Sequence, residues 1–178
     1  MDLITQRKQD GNSVTKISAD SPVPTGSIWG AAIDDGNLFR AGCQKDLNAS
    51  SGIVMLSITT PASPVLRFVP AVVSAEAECR VQFIEGPDGI ADGTEVTPRN
   101  ADRNSSAASS ASVKYDPTVT IGGGVVLGNV VLGNGRAVGG SITPSGEWLL
   151  KPSTTYVLLV ENKTTSKNQI SIRFYWKE

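Results

Sequence analysis

Histidine is absent from this chain of 178 residues. That absence removes the usual general base, the Ser-His-Asp arrangement and every histidine-ligated metal site. The only two cysteines, Cys43 and Cys79, are too few for a four-cysteine zinc site or a disulfide framework. We expect two buried free thiols, with a disulfide between them left open. We therefore expect a protein that is not an enzyme and has no cofactor and no metal site.

Long apolar runs and an excess of one charge are also missing. Stretches such as 157–160 are far shorter than the ~20 residues that a membrane span needs. The 16 basic and 17 acidic residues are well mixed and give a net charge of −1. We therefore expect neither a membrane nor nucleic acid as a partner. The N-terminal residues lack the apolar segment of a signal peptide, so we expect assembly in a cytosol.

Glycine and proline are plentiful, with 18 and 10 residues, and they separate short β-prone segments. Residues 170–177 alternate apolar and polar side chains, which is typical of a strand with one buried face. The pattern predicts strands at 52–59, 65–74, 78–85, 112–120, 124–132, 154–161 and 169–177. Many short strands joined by such turns predict an all-β fold, a jelly-roll-like β-sandwich with an N-terminal arm.

The domain boundary is placed at residue 26. Residues 1–26 are expected to form an extended arm that ends in a proline-rich linker, because proline fixes φ and restrains its neighbour. Residues 27–178 form the predicted β-sandwich domain. Its first segment, 27–33, is expected to be a short strand followed by an Asp-Gly turn of the hairpin type. The last two predicted strands are expected to pair as a hairpin.

The polar segment 85–106 combines several turn residues with many side-chain donors. We expect it to be pinned against the body, with Arg99 and Arg103 as candidate bracing or interface residues. Its acidic residues leave open a loose calcium site at Asp88, Asp92 and Glu95. The register of a calcium loop is not matched, because apolar and basic residues stand where oxygen ligands are required.

The glycine-rich stretch 121–136 contains VVLGN twice and carries no charge before its last residue. We interpret it as a hairpin that turns near Gly128, and exposed alone it would promote aggregation. A partner subunit that covers it would remove that hazard, so Val126 and Val131 are candidate interface residues. Trp29, just beyond the proline linker, is a third candidate because aromatic residues anchor interfaces. Trp148 and Trp176 are expected in the core.

Four segments carry a resemblance to a known family: EGP, DGTEVTPRNADRNSS, EWLLKPSTTYVLLVENKT and ISIRFYWKE. Together with the strands around them, over residues 38–178, they resemble small all-β structural proteins of tailed bacteriophages, of the head decoration or fibre type. That family has no catalytic residues to carry over.

The resemblance implies a structural virion protein that is assembled in the host cytoplasm. The favoured function is a capsid decoration or cement protein that binds across capsid subunits and stabilises the head. The implied partners are the major capsid protein or other virion proteins and further copies of the chain, with a homotrimer preferred. The alternative is a tail or head fibre module that binds a host-surface glycan.

Overall fold

The computed structural model of the chain describes residues 4–7, 14–17, 28–48, 52–120, 123–133 and 147–178. These residues contain one short helix, α1 (Ile28–Asp34), and fifteen strands. The first eight strands are β1 (Ile4–Arg7), β2 (Val14–Ile17), β3 (Leu38–Leu47), β4 (Ile53–Thr59), β5 (Arg67–Ala75), β6 (Cys79–Glu85), β7 (Asp88–Ala91) and β8 (Thr94–Glu95). The others are β9 (Arg99–Asn100), β10 (Ser112–Tyr115), β11 (Thr118–Thr120), β12 (Val125–Leu132), β13 (Trp148–Leu149), β14 (Thr155–Asn162) and β15 (Asn168–Lys177).

Two antiparallel sheets make up the body of the protein. The larger has six strands in the order β12-β6-β14-β4-β10-β8, and the smaller has five in the order β13-β5-β15-β3-β9. Two further ribbons pair β1 with β2 and β7 with β11. Ladders of seven to ten residue pairs join the central strands of both sheets. The long strands therefore lie at the centres, and short strands form most of the periphery.

The hydrophobic core lies between the two sheets. Along β15, Ile170, Ile172, Phe174 and Trp176 all point inward and are fully buried. Across the interface, the Phe68 ring of the five-stranded sheet stacks on a phenylalanine of the six-stranded sheet, with ring centroids 5.5 Å apart. Side chains from facing sheets that interdigitate in this way define a β-sandwich. The prediction of an all-β sandwich is confirmed.

The predicted C-terminal hairpin is wrong, because β14 and β15 belong to opposite sheets. β14 lies between β4 and β6, whereas β15 lies between β3 and β5. Each strand is apolar enough to be central, and placing each inside its own sheet buries more apolar surface than pairing the two would. At the crossing, the buried Asn168 donates to Asn162 Oδ1 at 3.3 Å, and Asn162 donates to the Ser166 carbonyl at 2.9 Å.

The predicted strand at 27–33 is also wrong, because residues 28–34 form α1. The Asp-Gly turn that follows it ends this helix rather than making a hairpin. Gly36 has φ of +67°, its N–H donates to the Ile33 carbonyl, and the Asn37 N–H donates to the Ala32 carbonyl, both at 2.9 Å. This pair of hydrogen bonds is the Schellman motif, in which glycine adopts the left-handed conformation at low cost.

The repeated VVLGN segment forms one strand, β12, and not a hairpin. It runs antiparallel to β6 from Val125, opposite Glu85, to Leu132, opposite Cys79. The register shifts between Val126 and Gly128, so the first Leu-Gly step is absorbed as a bulge. A bulge accommodates the glycine without reversing the chain, which explains why the turn signal misled the prediction.

The remaining expectations fall on the arm, the cysteines and the tryptophans. In the arm, β1 and β2 pair as a ribbon, and the linker at 21–26 lies outside the described residues. Cys43 and Cys79 are free thiols; Cys79 is buried and Cys43 is half-buried. Trp176 is fully buried as expected. Trp148 is not a core residue, because 36 % of it is exposed on a two-residue edge strand.

Candidate functional site: two edges of the sandwich

The two sheets are aligned so that the sandwich has two distinct edges. On one side, the Trp148 ring of β13 lies 6.3 Å from the Phe83 ring of β6, which places β13 against the strand that neighbours β12. On the other side, the Lys45 ammonium of β3 donates to the Ile53 carbonyl of β4 at 3.3 Å and forms an ion pair with Asp116. β3, β8, β9 and β10 therefore lie at the opposite edge from β12 and β13.

The edge formed by β12 and β13 concentrates the exposed apolar side chains. Six of the eight large hydrophobic side chains that are exposed among the described residues lie on these two strands. They are Val125, Val126, Val130, Val131, Trp148 and Leu149, which we call the apolar edge. Leu149 is 67 % exposed and Val131 55 %. Exposed apolar side chains concentrated on one edge in this way are typical of an interaction site.

The sequence of β12 explains why its exposed surface is apolar on both faces. Successive side chains of a strand point to opposite faces, so the adjacent pair Val130 and Val131 exposes apolar groups on both sides. Leu127 and Leu132 are only partly buried against the core. The strand carries no charged residue, and in the described part of the chain it pairs with β6 alone. Its outer row of backbone N–H and C=O groups thus has no strand partner there.

The opposite edge carries a polar groove of about 750 Å³. Its floor is the outer face of β3 and β15, and its wall is the segment 95–99, which crosses from the six-stranded to the five-stranded sheet. The polar side chains that line it are Arg40, Gln44, Glu95, Thr97, Arg99, Ser171, Arg173 and Tyr175. We call this the arginine groove.

Strand register places the three arginines side by side. Arg40 lies opposite Tyr175 on one side and opposite Arg99 on the other, so these three side chains form a row across β15, β3 and β9. In the next row, Arg173 lies opposite Gly42. Directly opposed side chains in antiparallel strands start ~5 Å apart, which is well within reach of a guanidinium. The positive charges of Arg40, Arg99 and Arg173 therefore lie around the same part of the groove floor.

Asn100, a buried residue, holds the wall of the groove in place. Its side-chain amide donates to the Gly36 carbonyl at 2.7 Å and to the Ala107 carbonyl at 3.3 Å. Its side-chain oxygen accepts from the Asp102 N–H at 2.9 Å. The segment 85–106 is thus held against the body as expected, but the residue that holds it is Asn100 and not an arginine. Arg99 and Arg103, the residues that the sequence favoured for bracing, have exposed side chains.

The structure separates the sequence-based interface candidates. Val126 and Val131 lie together on the apolar edge, whereas Arg99 lies in the arginine groove on the other side. Arg103 is exposed on the loop beyond Asn100 and lines neither surface. The backbone of Trp29 belongs to α1, and its side chain lies outside the described residues.

Sequence reasoning missed Arg40, Arg173 and the two residues of β13. Arg40 and Arg173 occupy polar positions of alternating strands, which is the ordinary place for a solvated side chain. Only the register between β3, β15 and β9 brings them together. Leu149 follows Trp148 in an apolar pair that reads as core, and the exposed position of both could not be derived from the pattern.

The described part of the chain contains no candidate metal site, and its two thiols are poor nucleophiles. No group of three or more Cys, Asp or Glu residues there could hold a metal ion. Burial raises the pKa of Cys43 to about 12 and that of Cys79 to about 11, so neither thiol is a ready nucleophile at neutral pH. Among the described residues, no helix is long and apolar enough to cross a membrane.

Comparison with known proteins gives no match, whether to a family model, a curated protein or a solved structure.

Proposed function

We propose that the protein is a non-enzymatic structural component of a virion, a capsid decoration protein that assembles through its apolar edge. The observation that carries this proposal is the set of six exposed apolar side chains on β12 and β13. Monomeric proteins rarely leave a two-sided apolar edge strand bare, because it templates aggregation. A subunit that is always covered there has no such liability. The resemblance of residues 38–178 to phage structural proteins supplies the virion context.

The jelly roll is part of the same proposal, and strand order supports it. Eight strands, taken as β3, β4, β5, β6, β12, β13, β14 and β15, form two four-stranded sets. One set is ordered β3-β15-β5-β13 and the other β4-β14-β6-β12, with every pair antiparallel. This interleaving of early and late strands is what two nested Greek keys produce. Jelly rolls are common in viral capsid and lectin domains.

The occupant of the apolar edge in this proposal is a second copy of the chain. β12 offers an unpaired backbone edge and valines on both faces, and the neighbouring β13 offers Trp148 and Leu149. A head-to-tail contact, in which β12 of one copy meets β13 of the next, generates a closed ring when the rotation closes. The homotrimer implied by the resemblance is one such ring.

The mechanism of this function is mechanical. A rigid sandwich that binds across the joints between capsid subunits adds interface area. Separating those subunits then requires breaking this added interface as well, which makes the capsid harder to open. Oligomerisation through the apolar edge multiplies the contacts of each particle with the capsid, and linked contacts raise the effective affinity. No catalytic group is needed for this task.

The proposal is tested by co-sedimentation of the full-length protein with capsids that lack it. We expect saturable binding at a copy number that matches the symmetry of the capsid. The double variant Val126→Asp/Val131→Asp should bind with much lower avidity. Ile33→Asp is a matched control, because Ile33 is 38 % exposed in α1 and lies outside the apolar edge. Absence of saturable binding would contradict the decoration function, and a few copies only at the tail would favour the fibre alternative.

A further inference from the structure

The arginine groove is not explained by assembly through the apolar edge. Five ion pairs join described residues, and their cations are Lys45, Arg67, Lys151, Lys163 and Lys167. None of the three groove arginines takes part. Among the described residues, no carboxylate lies within ion-pair distance of these arginines. Acidic residues are not scarce in the chain, which has 17 of them against 16 basic residues.

The arrangement of these arginines is unfavourable for stability. Arg40 and Arg99 are directly opposed across an antiparallel pair, and like charges in that position repel each other. Arg173 lies over Gly42: a Cβ built on Gly42 would lie 3.0 Å from Arg173 Cγ and 2.7 Å from the Ile172 carbonyl oxygen. A larger residue at position 42 would displace Arg173 from the floor. Local rules are broken in this way chiefly where a site needs the arrangement.

The groove also presents groups that suit a ligand rich in hydroxyls. Ser171, Thr97 and Tyr175 carry hydroxyls, Gln44 carries an amide, and Glu95 carries a carboxylate, whose oxygens accept hydrogen bonds. Guanidinium groups bind carboxylates with two parallel hydrogen bonds, which fixes the orientation of the anion.

We propose that the arginine groove binds a carboxylate-bearing saccharide. The arginines hold the sugar carboxylate, Tyr175 and Ser171 exchange hydrogen bonds with sugar hydroxyls, and Glu95 accepts from a further hydroxyl. An acidic peptide fits less well, because Glu95 would face its carboxylates and its backbone has few groups that match the hydroxyls of the floor. Nucleic acid fits less well again, since the net charge of the chain is −1.

This inference stands on the groove and does not depend on the capsid. It is tested by titration calorimetry of the full-length protein with trigalacturonic acid and 3′-sialyllactose. The neutral counterparts are methyl-esterified trigalacturonate and lactose. We expect at least one acidic sugar to bind with Kd of about 0.1–1 mM and its neutral counterpart at least ~10-fold more weakly. Binding should weaken with added salt, because exposed charges are screened.

Variants assign the binding to the groove. Arg40→Gln and Arg99→Gln should each weaken binding of the acidic sugar by about 5- to 30-fold, because each removes one charge-assisted hydrogen bond at a partly solvated site. Arg103→Gln is the matched control: it removes an exposed arginine from the same loop but outside the groove, and should change Kd less than ~2-fold. Circular dichroism should show the same fold for all three variants.

Three results would overturn the proposal. One is that no acidic sugar binds better than its neutral counterpart. Another is that Arg103→Gln weakens binding as much as Arg99→Gln, which would mean general charge attraction. The third is that hexaglutamate binds more tightly than both acidic sugars, which would assign the groove to an acidic peptide.

Discussion

The two edges of this sandwich solve the same problem in different ways. Each sheet of an open sandwich ends in a strand with unpaired backbone groups, and such strands invite aggregation. At the arginine groove, the insertion between β6 and β12 covers the edge with short strands and charged side chains. At the apolar edge, β12 is eight residues long and uncharged. The difference in charge and strand length is the basis of our proposal that a partner covers the second edge and not the first.

The insertion is held by polar groups whose partners lie far along the chain. Asn100 bonds to the turn after α1, and the Glu178 carboxylate accepts hydrogen bonds from Ser109 and Ser110. Buried and half-buried polar networks of this kind fix one arrangement when every member is satisfied. No equivalent network covers β12 in the described residues, where the Asn129 side chain accepts from Arg80 at 3.2 Å. The groove is therefore preorganised, whereas β12 lacks such a network among the described residues.

The core that both edges share gives the largest expected effect. Phe68→Ala should lower the free energy of unfolding by about 3–5 kcal/mol, because Phe68 is 1 % exposed and packs on Phe83 and Phe174. Urea unfolding followed by fluorescence measures this loss. Val125→Ala truncates an exposed side chain of the apolar edge and should cost less than ~0.5 kcal/mol. Equal losses for the two variants would remove the distinction between core and edge.

A charge on β13 should separate assembly from folding. Leu149→Asp is expected to weaken self-association by at least ~30-fold, because an unpaired carboxylate would be buried in the interface. The melting temperature of the monomer should hardly change, since Leu149 is 67 % exposed. Analytical ultracentrifugation and a thermal melt measure the two quantities. Gln44→Asp, on the arginine side, is the control, and it should leave self-association unchanged. A similar loss of self-association with Gln44→Asp would show that the apolar edge is not the assembly surface.

Removing the like-charge repulsion in the arginine groove should stabilise the protein, whereas the core substitution destabilises it. Arg40→Gln is expected to raise the free energy of unfolding by about 0.2–1 kcal/mol, because it relieves the like-charge pair with Arg99. The gain should shrink in high salt, which screens exposed charges. Arg103→Gln should leave stability within ~0.3 kcal/mol of wild type. A destabilised Arg40→Gln variant would mean that this arginine has a structural role.

The smallest expected effect is the pH dependence of the loop that borders the groove. Burial raises the pKa of Glu178, but hydrogen bonds from Ser109, Ser110 and Trp176 outweigh it, so the pKa is lowered from 4.5. The stabilisation is therefore complete above the unfolded value and is lost as pH falls through the folded value. Glu178→Gln should flatten the acid limb of a stability profile by less than ~0.3 kcal/mol, because water screens the partly exposed carboxylate. An unchanged slope below pH ~5 would contradict this assignment.

Much of the strand pattern followed from the sequence, because alternation and turn residues act locally. The prediction of a strand at 169–177 agrees with β15 (Asn168–Lys177) to one residue at its start. What failed was pairing. The two C-terminal strands follow each other in the chain but enter different sheets, and no local signal distinguishes a hairpin from a crossing.

The candidate surfaces were predictable to different degrees. Val126 and Val131 stand out in the sequence because an uncharged aliphatic repeat is unusual on a surface. Arg99 was selected for its donor density, but its neighbours Arg40 and Arg173 come from strands at opposite ends of the chain. A groove assembled by register between distant strands has no signature in the order of residues. α1 was missed for a similar reason, since a helix of seven residues shows too little periodicity to recognise.

The central claim, that the apolar edge is the assembly surface, is tested most directly by sedimentation equilibrium from about 1 to 100 μM protein. The wild type and Val126→Asp/Val131→Asp should be compared, with circular dichroism to establish that both are folded. The account predicts an oligomer for the wild type and a folded monomer for the double variant. A wild type that stays monomeric over this range, or a folded double variant that stays oligomeric, would contradict it.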